Sequence, residues 1–404
     1  MKIVVLKFGG TSVGNLKRIK NVSKIIISYL KKKIKVIVVS SAMSGETNKL
    51  IGLSKKISDK FKDVELDVLL SSGEQIACSL LAAQLNKLGY KSRSFMGWQV
   101  PIITDKNYGN SKILKIYKNN IQEFIKIGGV PIIAGFQGIT IDGRITTLGR
   151  GASDYTAIML SKVFKANKCI IYTDVEGVMT TDPKIHKKAN KIKIISYEEM
   201  LEMSSLGSKV MQSNSVQDAR LGRIDVDVRS SFVKKKGTLI TKKNNIKNKK
   251  IITAISSTKN DTKITLVGVR DKPGIAASIF EPLSRNFINV DMVVQNISAN
   301  GIDTDVTFTI RSEDHNKAFK YIKNNKKINF KKIILDNKVS KVSIVGVGMV
   351  TTPGVTFRMF KCLSQKNINI LAISTSEIKI SVLINKRNVK KAVHALHKEF
   401  NLDK

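Results

Sequence analysis

The residues best able to do chemistry lie in small-residue segments that follow predicted strands. The first segment is Lys7-Phe8-Gly9-Gly10-Thr11-Ser12, which comes where an apolar N-terminal run stops. A lysine there can bridge phosphate oxygens as a point charge, and two glycines let backbone N–H groups approach the same oxygens. Thr11 and Ser12 could cap the next helix. Alone, this segment predicts an anion site or simply a strand-ending turn.

Two more segments place hydroxyl and carboxylate groups after predicted elements. Ser40 to Asn48 follows a second strand and is rich in hydroxyls and small residues, which suits a small charged ligand. Glu74 follows a glycine within Leu69 to Gln75. Such an acid is usually only the partner of a helix dipole, but in a binding site it would hold an α-ammonium group.

The segment Thr146 to Asp154 has the sharpest pattern. Gly149 and Gly151 flank Arg150, whose guanidinium can hold a carboxylate through two hydrogen bonds. The last two residues open a predicted helix, whose N-terminus favours anions. Asp154 could accept a proton or hold the acceptor and a metal in register. A later segment, Ile171 to Pro183, ends another strand and offers carboxylates for a nucleotide and for Mg²⁺.

Other phosphotransferase and metal motifs are missing from the sequence. Gly9 to Gly14 has the glycine spacing of a P-loop, but Asn15 stands where its lysine should be. The kinase triplets HRD and DFG do not occur, and no GxGxxG follows a strand. The three cysteines are far apart in apolar surroundings and fit no metal spacing, so we expect them to be reduced core residues; they are Cys78, Cys169 and Cys362.

The elements that must position these segments alternate between strand and helix. The predicted strands are Lys2 to Phe8, Lys35 to Ser40, Val130 to Ala134 and Cys169 to Thr173, and the predicted helices are Leu16 to Leu30 and Leu66 to Leu88. Alternation of this kind predicts a mostly parallel sheet with helices on both faces. Ligands bind at the carboxyl ends of such strands. The segments above are therefore expected to converge on one crevice.

The second half of the chain contains an internal repeat. Ile264 to Val269 resembles Val342 to Val347, and each run is followed by a Pro-Gly pair, at Pro273 and at Pro353. Each copy predicts a ferredoxin-like βαββαβ unit. A lysine-rich polar stretch around 234–250 marks the boundary before the repeats. We expect a catalytic domain over 1–245, a first regulatory domain over 246–335 and a second over 336–404.

The chain is strongly basic, with 70 Lys and Arg against 31 Asp and Glu and a net charge of +39. Such a charge could indicate a nucleic-acid partner. However, the lysines are spread along the chain with many isoleucines and asparagines, as a biased genome would produce, and no RNA-binding or zinc-finger motif accompanies them. We expect no nucleic-acid or membrane partner. Without a signal-peptide pattern or a membrane-length apolar run, we expect a cytoplasmic location.

Taken in order, these segments resemble the aspartokinase signatures of the amino-acid kinase family. The match runs from Lys7 to Arg229-Ser230-Ser231-Phe232, and the repeats resemble the paired ACT domains of that family, including Ser374 to Ile384 in the second copy. The resemblance covers essentially the whole chain. It implies an α/β fold with a mostly parallel central sheet sandwiched by helices, plus two ferredoxin-like ACT domains. It also implies the monofunctional type, since no homoserine dehydrogenase portion follows Lys404.

The resemblance implies an activity as well. It is transfer of a phosphoryl group from ATP, with Mg²⁺ brought by the nucleotide rather than bound by the protein alone, to the β-carboxylate of L-aspartate. The product, 4-phospho-L-aspartate, begins the route to lysine, threonine, methionine and diaminopimelate. A carboxylate is already ionised at neutral pH, so positioning and charge neutralisation would suffice for catalysis.

Site residues are carried over from the resemblance. It implies catalytic roles for Lys7 and Asp154, and contacts with aspartate by Ser41, Thr47, Glu74, Arg150, Gly151 and Ser153. It implies a nucleotide site of Lys7, Phe8, Gly9, Gly10, Thr173, Asp174, Met179, Thr180, Asp182 and Lys209. Lysine and/or threonine would act as effectors through Asp271, Ala276, Asn289, Val290, Asp291 and Gln295 in the first repeat and Val355, Thr356, Asn369 and Ile370 in the second. The paired domains imply a homodimer or a higher homo-oligomer.

One departure and three alternatives remain. Ala152 replaces the second glycine of the family's Arg-Gly-Gly-Ser-Asp pattern; we expect it to lie in the first turn of a helix, where alanine fits. Another amino-acid kinase acting on glutamate, a catalytically weak amino-acid sensor and a nucleic-acid binder are the competing functions. The repeats and Thr147 to Arg150 argue against the first, the intact Lys7 and Asp154 against the second.

Overall fold

A computed structural model describes residues 2–58, 61, 63–149, 151–208, 210–246, 250–258, 260–297, 302–325 and 327–403. The chain forms two compact units. The first comprises Met1–Val178, Lys191–Ser205 and Lys209–Asn248, and the second Met179–Asn190, Leu206–Ser208 and Lys249–Lys404. The second unit thus includes two short segments that lie, in sequence, inside the expected catalytic domain.

The first unit contains twelve of the described strands and seven helices. The strands are β1 Ile3–Phe8, β2 Lys35–Ser40, β3 Ser92–Phe95, β4 Ile102–Thr104, β5 Ile113–Ile116, β6 Val130–Ala134, β7 Gln137–Ile139, β8 Ile145–Thr147, β9 Lys168–Thr173, β10 Ile194–Ser196, β11 Val226–Ser230 and β12 Thr238–Thr241. The helices are α1 Leu16–Leu30, α2 Glu46–Ile57, α3 Asp63–Lys87, α4 Asn119–Lys126, α5 Ser153–Val163, α6 Tyr197–Ser205 and α7 Ser213–Gly222.

An eight-stranded sheet forms the centre of this unit, in the order β10-β12-β11-β9-β1-β2-β6-β3. All neighbouring pairs are parallel except β11 with β12. Its central strands are buried on both faces, as their near-continuous valine and isoleucine runs predict. A smaller sheet has the order β5-β4-β7-β8. The predicted parallel α/β architecture is confirmed, and all three cysteines are buried and free.

The long helix α3 packs along the core of the first unit. Ala77, Leu81 and Leu85 on one side of it are fully buried in the same cluster as β1 and β2. Among the described helices it is also the one that is long and apolar enough to cross a membrane. That is weak support for a membrane span, because a buried core helix passes the same test. The helix ends before Gly89, whose φ of +83° matches the predicted C-cap.

The second unit contains the repeats. Its strands are β13 Ala254–Ser257, β14 Asp261–Arg270, β15 Val290–Ile297, β16 Asp303–Arg311, β17 Lys332–Val345, β18 Ile370–Ser376 and β19 Lys379–Asn385. Its helices are α8 Ile275–Arg285, α9 His315–Lys323, α10 Val355–Ser364 and α11 Val389–Glu399. Each repeat has its own apolar core. Gly274 and Gly354, from the two Pro-Gly pairs, precede α8 and α10 with φ of +87° and +82°, so the sequence repeat is a repeat of the same left-handed turn.

One sheet serves both repeats, in the order β15-β16-β14-β17-β19-β18. The first half of β17 pairs with β14, and the second half pairs with β19. In the part of the chain that the structure describes, which ends at residue 403, no strand of the second repeat follows α11. The outer position of this repeat beside β17 is occupied by β13, with Ala254 opposite Val345, although β13 precedes the first repeat in sequence. The order of elements in the second repeat therefore differs from the simple βαββαβ expectation.

Candidate active site

The carboxyl ends of the central parallel strands are tied together by backbone hydrogen bonds. The N–H of Gly9 donates to the carbonyl of Tyr172 at 3.0 Å, that of Ser41 to Phe8 at 3.1 Å, and that of Gly135 to Ser40 at 3.0 Å. The segments after β1, β2, β6 and β9 thus meet at one edge, as the sequence predicts. The Gly9 N–H is already engaged in this way, so it is not free to bind a phosphate oxygen. Lys7 is therefore the group at the end of β1 that can interact with an anion.

Lys7 forms an ion pair with Asp154 at this edge. The Lys7 Nζ lies 2.7 Å from the Asp154 Oδ1, and both side chains are about nine-tenths buried. Lys7 is the penultimate residue of the buried strand β1, and Asp154 lies in the first turn of α5. A buried pair of this kind fixes the position of the ammonium group, and removing either partner would leave an uncompensated charge.

Glu74 supplies a second buried carboxylate from the middle of α3. Its Oε1 accepts a hydrogen bond from the Ala42 N–H at 3.0 Å. Its Oε2 is buried and has no hydrogen-bond partner. Burial raises the pKa of Glu74 to about 7, opposed by the Ala42 N–H, by its own backbone N–H and by the charge of Lys7. An oxygen left unpaired in this way is suited to a cationic ligand group.

Two glycines allow the segment after β2 to approach its neighbours. A methyl group on Gly10 would lie 2.8 Å from the Ala42 carbonyl oxygen, and one on Gly73 would lie 2.9 Å from the Ala42 Cβ. Both distances are too short for real contacts. The backbone at Ala42 is therefore packed directly between the segment after β1 and helix α3, which is what brings its N–H to Glu74.

The loop before α5 contains the one departure from the family pattern. Ala152 lies immediately before the helix, not in its first turn, with φ of −75° and ψ of 3°. Alanine adopts this conformation without strain, so the expectation that alanine fits here is confirmed. Gly151 has φ of +79°, and a methyl group there would lie 2.4 Å from the Gln212 Nε2, so the first glycine is the one the backbone requires. Ser153 is buried against Gly135. Arg150 lies outside the described residues.

Several hydroxyl groups line the same edge between β1, β9 and β11. The Ser12 hydroxyl is 2.8 Å from that of Ser231, which in turn donates to the Thr173 carbonyl at 3.2 Å. The Thr173 hydroxyl lies 3.1 Å from the Asp174 carboxylate, which is exposed. The suggestion that Thr11 and Ser12 cap α1 is wrong. The side chain of Asn15 does so, accepting from the Arg18 N–H at 2.9 Å.

The amino acid kinase family model matches residues 2–230, more than half of the chain. A model of the ACT domain matches residues 264–325 and 342–400. An aspartate kinase from Pseudomonas putida is 45% identical over 100% of this chain and 98% of its own, and aspartokinase 2 from Bacillus subtilis is 41% identical over 100% and 99%. This chain belongs to the amino acid kinase family, in its aspartokinase branch.

The fold comparison agrees. The crystal structure of E. coli aspartokinase III in complex with aspartate and ADP superposes with a TM-score of 0.82, at 24% identity over 98% of this chain and 99% of that one. At that identity the likeness concerns the fold alone. As a member of the family, the aspartokinase-like chain is a phosphotransferase, and its regulatory repeats are ACT domains.

Part of the predicted nucleotide set belongs to the second unit of this aspartokinase. Met179, Thr180 and Asp182 belong to the second unit. Thr180 is buried, and its hydroxyl lies 2.8 Å from the His397 Nε2 and accepts from the Asn190 N–H at 2.9 Å. These contacts lie within that unit, and the assignment of Thr180 to the nucleotide site stays a prediction. Lys209 lies outside the described residues.

The remaining residues predicted to bind the substrate of the aspartokinase are Ser41 and Thr47. Both are partly exposed, Ser41 directly after β2 and Thr47 in the first turn of α2. They lie on either side of Gly45, which has φ of +87° and begins the helix. Their hydroxyl groups are thus presented by the same segment whose backbone holds Glu74.

The predicted effector residues lie on or next to strands β15 and β18, in the turn before α8, and in the first turns of α8 and α10. Exposed members are Asp271, Ala276, Asn289, Asp291, Gln295, Thr356 and Asn369, and partly exposed members are Val290 and Ile370. Val355 is buried in the core of the second repeat, so it could offer only backbone groups. The carboxylate of Asp291 is paired with the buried ammonium group of Lys341. An internal lysine therefore already occupies one predicted effector contact.

Sequence reasoning missed Asp67, which fixes the end of β8 from helix α3. Its carboxylate accepts hydrogen bonds from the Gly109 N–H, at 3.0 and 3.1 Å, and from the Thr147 N–H, at 2.8 Å. Burial raises the pKa of Asp67, and these hydrogen bonds oppose the rise. Thr147 is followed at once by Leu148, Gly149 and the loop that leads to α5. An acidic residue inside an otherwise apolar helical pattern is the signal that could have found it.

Proposed function

We propose that this aspartokinase transfers the γ-phosphoryl group of ATP to the β-carboxylate of L-aspartate, giving 4-phospho-L-aspartate. The observation that carries the proposal is the edge where the Lys7–Asp154 pair and the unpaired Oε2 of Glu74 lie together within one unit. One group matches an anion and the other matches an ammonium group, and the relatives named aspartate kinase support this substrate.

The residues at the edge have separate tasks in the proposed reaction. The Lys7 ammonium group neutralises charge that shifts between the phosphates and the acceptor, and Asp154 holds it in position. Glu74 binds the α-ammonium group of aspartate through Oε2. The acceptor carboxylate is its own nucleophile, so no general base is needed. Catalysis then consists of alignment and charge neutralisation in a site pre-formed by the sheet.

Mg²⁺ fits the oxygen-rich chemistry of this edge. Mg²⁺ prefers one or two carboxylates together with substrate phosphates and water. Asp174 and Asp154 are the carboxylates that would hold it with the nucleotide, and the ion would neutralise phosphate charge.

Turnover with purified protein tests the proposal. ADP release is measured with MgATP and L-aspartate, and then with L-glutamate in its place. We expect turnover with aspartate and a much lower kcat/KM with glutamate. Glu74→Gln should raise the KM for aspartate, while Glu65→Gln, an exposed carboxylate on the same helix, should leave it unchanged. Absence of aspartate-dependent turnover in the folded protein would refute the proposal, and preference for glutamate would favour the alternative kinase.

We also propose feedback by lysine and/or threonine at the ACT repeats, and a homodimer or higher homo-oligomer formed through them. Exposed apolar residues at the two outer strands of the shared sheet support a partner copy, with Val293 on β15 48% exposed and Ile373 on β18 42% exposed. Inhibition assays with each amino acid and with both, together with light scattering, test these points. A cytoplasmic location without nucleic-acid or membrane partners remains a prediction.

A further inference from the structure

Three of the chain's four histidines lie together in the second unit. The ring centroids of His186 and His397 are 4.3 Å apart, and those of His186 and His394 are 4.6 Å apart. His186 belongs to the segment Met179–Asn190, and the other two are on α11. The fourth, His315, begins α9 in the first repeat. Neither the proposed reaction nor the effector contacts use this cluster.

Two of these imidazoles converge on one carboxylate oxygen. The His186 Nε2 lies 2.8 Å and the His397 Nδ1 2.6 Å from the same oxygen, the Asp403 Oδ1. The three atoms lie within 4.8 Å of one another. His397 is fully buried and His186 is 8% exposed. Such proximity places three potential ligands around a common point.

We propose that His186, His397 and Asp403 bind a divalent transition-metal ion of the zinc class. Two imidazole nitrogens and one carboxylate oxygen suit Zn²⁺, Co²⁺ and Ni²⁺, whereas Mg²⁺ and Ca²⁺ prefer sites made of oxygen alone. Water would complete the coordination sphere. Asp403 is partly exposed and is next to solvent, which provides an entry path.

A hydrogen bond to a neighbouring residue fixes the orientation of the His397 ring, which is fully buried. The other ring nitrogen of His397, Nε2, lies 2.8 Å from the Thr180 hydroxyl, which also accepts from the Asn190 N–H. With Nδ1 on the metal, Nε2–H donates to that hydroxyl, as ligating histidines commonly do to an outer partner. His394 is different, because its Nε2 is bonded to the Ile185 carbonyl at 2.9 Å. It is also not part of the group whose ligand atoms lie within 4.8 Å of one another, which is His186, His397 and Asp403.

The ion would join two parts of the second unit that are far apart in sequence. His186 lies on the segment that leaves the first unit after Val178 and returns to it after Asn190, and the other ligands lie near the end of the ACT repeats. An ion bound only in the folded state stabilises that state by mass action. None of the three ligands is among the residues assigned to the proposed reaction, so the proposal does not depend on the kinase activity.

Titration of the tag-free, chelator-treated chain with Co²⁺ tests the site. We expect one saturable set of visible absorption bands that one equivalent of Zn²⁺ abolishes. His186→Gln and Asp403→Asn should each weaken binding by at least about tenfold. His315→Gln and His394→Gln are matched controls and should bind as the unaltered chain does.

The result that overturns the proposal is equally specific. Failure of Co²⁺ and Zn²⁺ to bind at one equivalent would mean that the cluster is only a hydrogen-bonded network. The same conclusion follows if binding survives both His186→Gln and Asp403→Asn. Should those variants not fold, the X-ray absorption spectrum of the zinc-loaded unaltered chain decides. Two imidazoles with oxygen ligands support the site, and sulfur ligands or oxygen alone refute it.

Discussion

Replacing Glu74 with glutamine should separate the stability of the aspartokinase from its affinity for aspartate. The pKa of this carboxyl is raised from 4.5 to about 7 by burial. Its carboxylate form therefore costs free energy in the ligand-free fold. Glutamine keeps an oxygen to accept from the Ala42 N–H and carries no charge, so the variant should not share this dependence on pH.

The sign and size of the change in unfolding free energy with pH follow from the pKa of Glu74 in the unfolded and in the folded chain. A group whose pKa is raised on folding contributes its full stabilisation at a pH below its pKa in the unfolded chain. That contribution is lost as the pH rises through its pKa in the folded chain. Between pH 5 and 8.5 the unaltered chain should lose about 2–3 kcal/mol of unfolding free energy relative to Glu74→Gln, at 1.36 kcal/mol for each pKa unit. A constant offset from the buried amide does not affect this difference.

Urea unfolding at several pH values measures the effect. Trp98, the chain's one tryptophan, lies in the first unit and reports on its unfolding through fluorescence. The same variant should raise the KM for aspartate by about 10- to 150-fold, the loss of a hydrogen bond between charged groups. A stability difference that does not change with pH would refute the raised pKa. A normal KM would refute the contact with the substrate ammonium group.

Three further substitutions, the second with a control variant on α2, test the geometry of the same edge. Lys7→Met should lower kcat by about 100-fold or more with little change in the KM for aspartate, and an unchanged kcat would contradict its catalytic role. Gly10→Ala should destabilise the chain by about 1–3 kcal/mol in urea unfolding because of the close Ala42 carbonyl, whereas Gly52→Ala, in an open position on α2, should stabilise it by about 0.5–1 kcal/mol. Ala152→Gly should change kcat less than about twofold and stability by less than about 1 kcal/mol, and a large gain in kcat would show that alanine strains the loop.

Local signals in the sequence were sufficient for much of the first unit. The bounds of α1 and β2 agree with those predicted, because a helical period, a run of β-branched residues and the flanking small residues are properties of neighbouring residues. The meeting of the segments after β1, β2 and β9 followed from the rule that parallel strands present their carboxyl ends at one edge.

Contacts between distant residues were beyond such signals. Asp67 holds Thr147 from another element, and the Thr180 hydroxyl is engaged by His397 near the other end of the chain. Hydrophobic period and turn chemistry do not specify which distant partner a polar side chain will meet. For the same reason, the predicted single catalytic block over 1–245 did not anticipate that Met179–Asn190 joins the second unit.

The position of β13 beside β17 has a consequence for synthesis of the protein on the ribosome. The segment Ala254–Ser257 emerges before the whole first repeat, yet its partner strand, around Val342 to Val345, appears only after that repeat has been made. The first repeat can therefore fold while this short segment remains unpaired, with its backbone and Ile255 exposed to other chains and to chaperones. Deleting the first repeat would leave the segment next to β17 in sequence, without the long excursion between them. A deletion variant of that kind should fold its remaining repeat faster than the complete chain does.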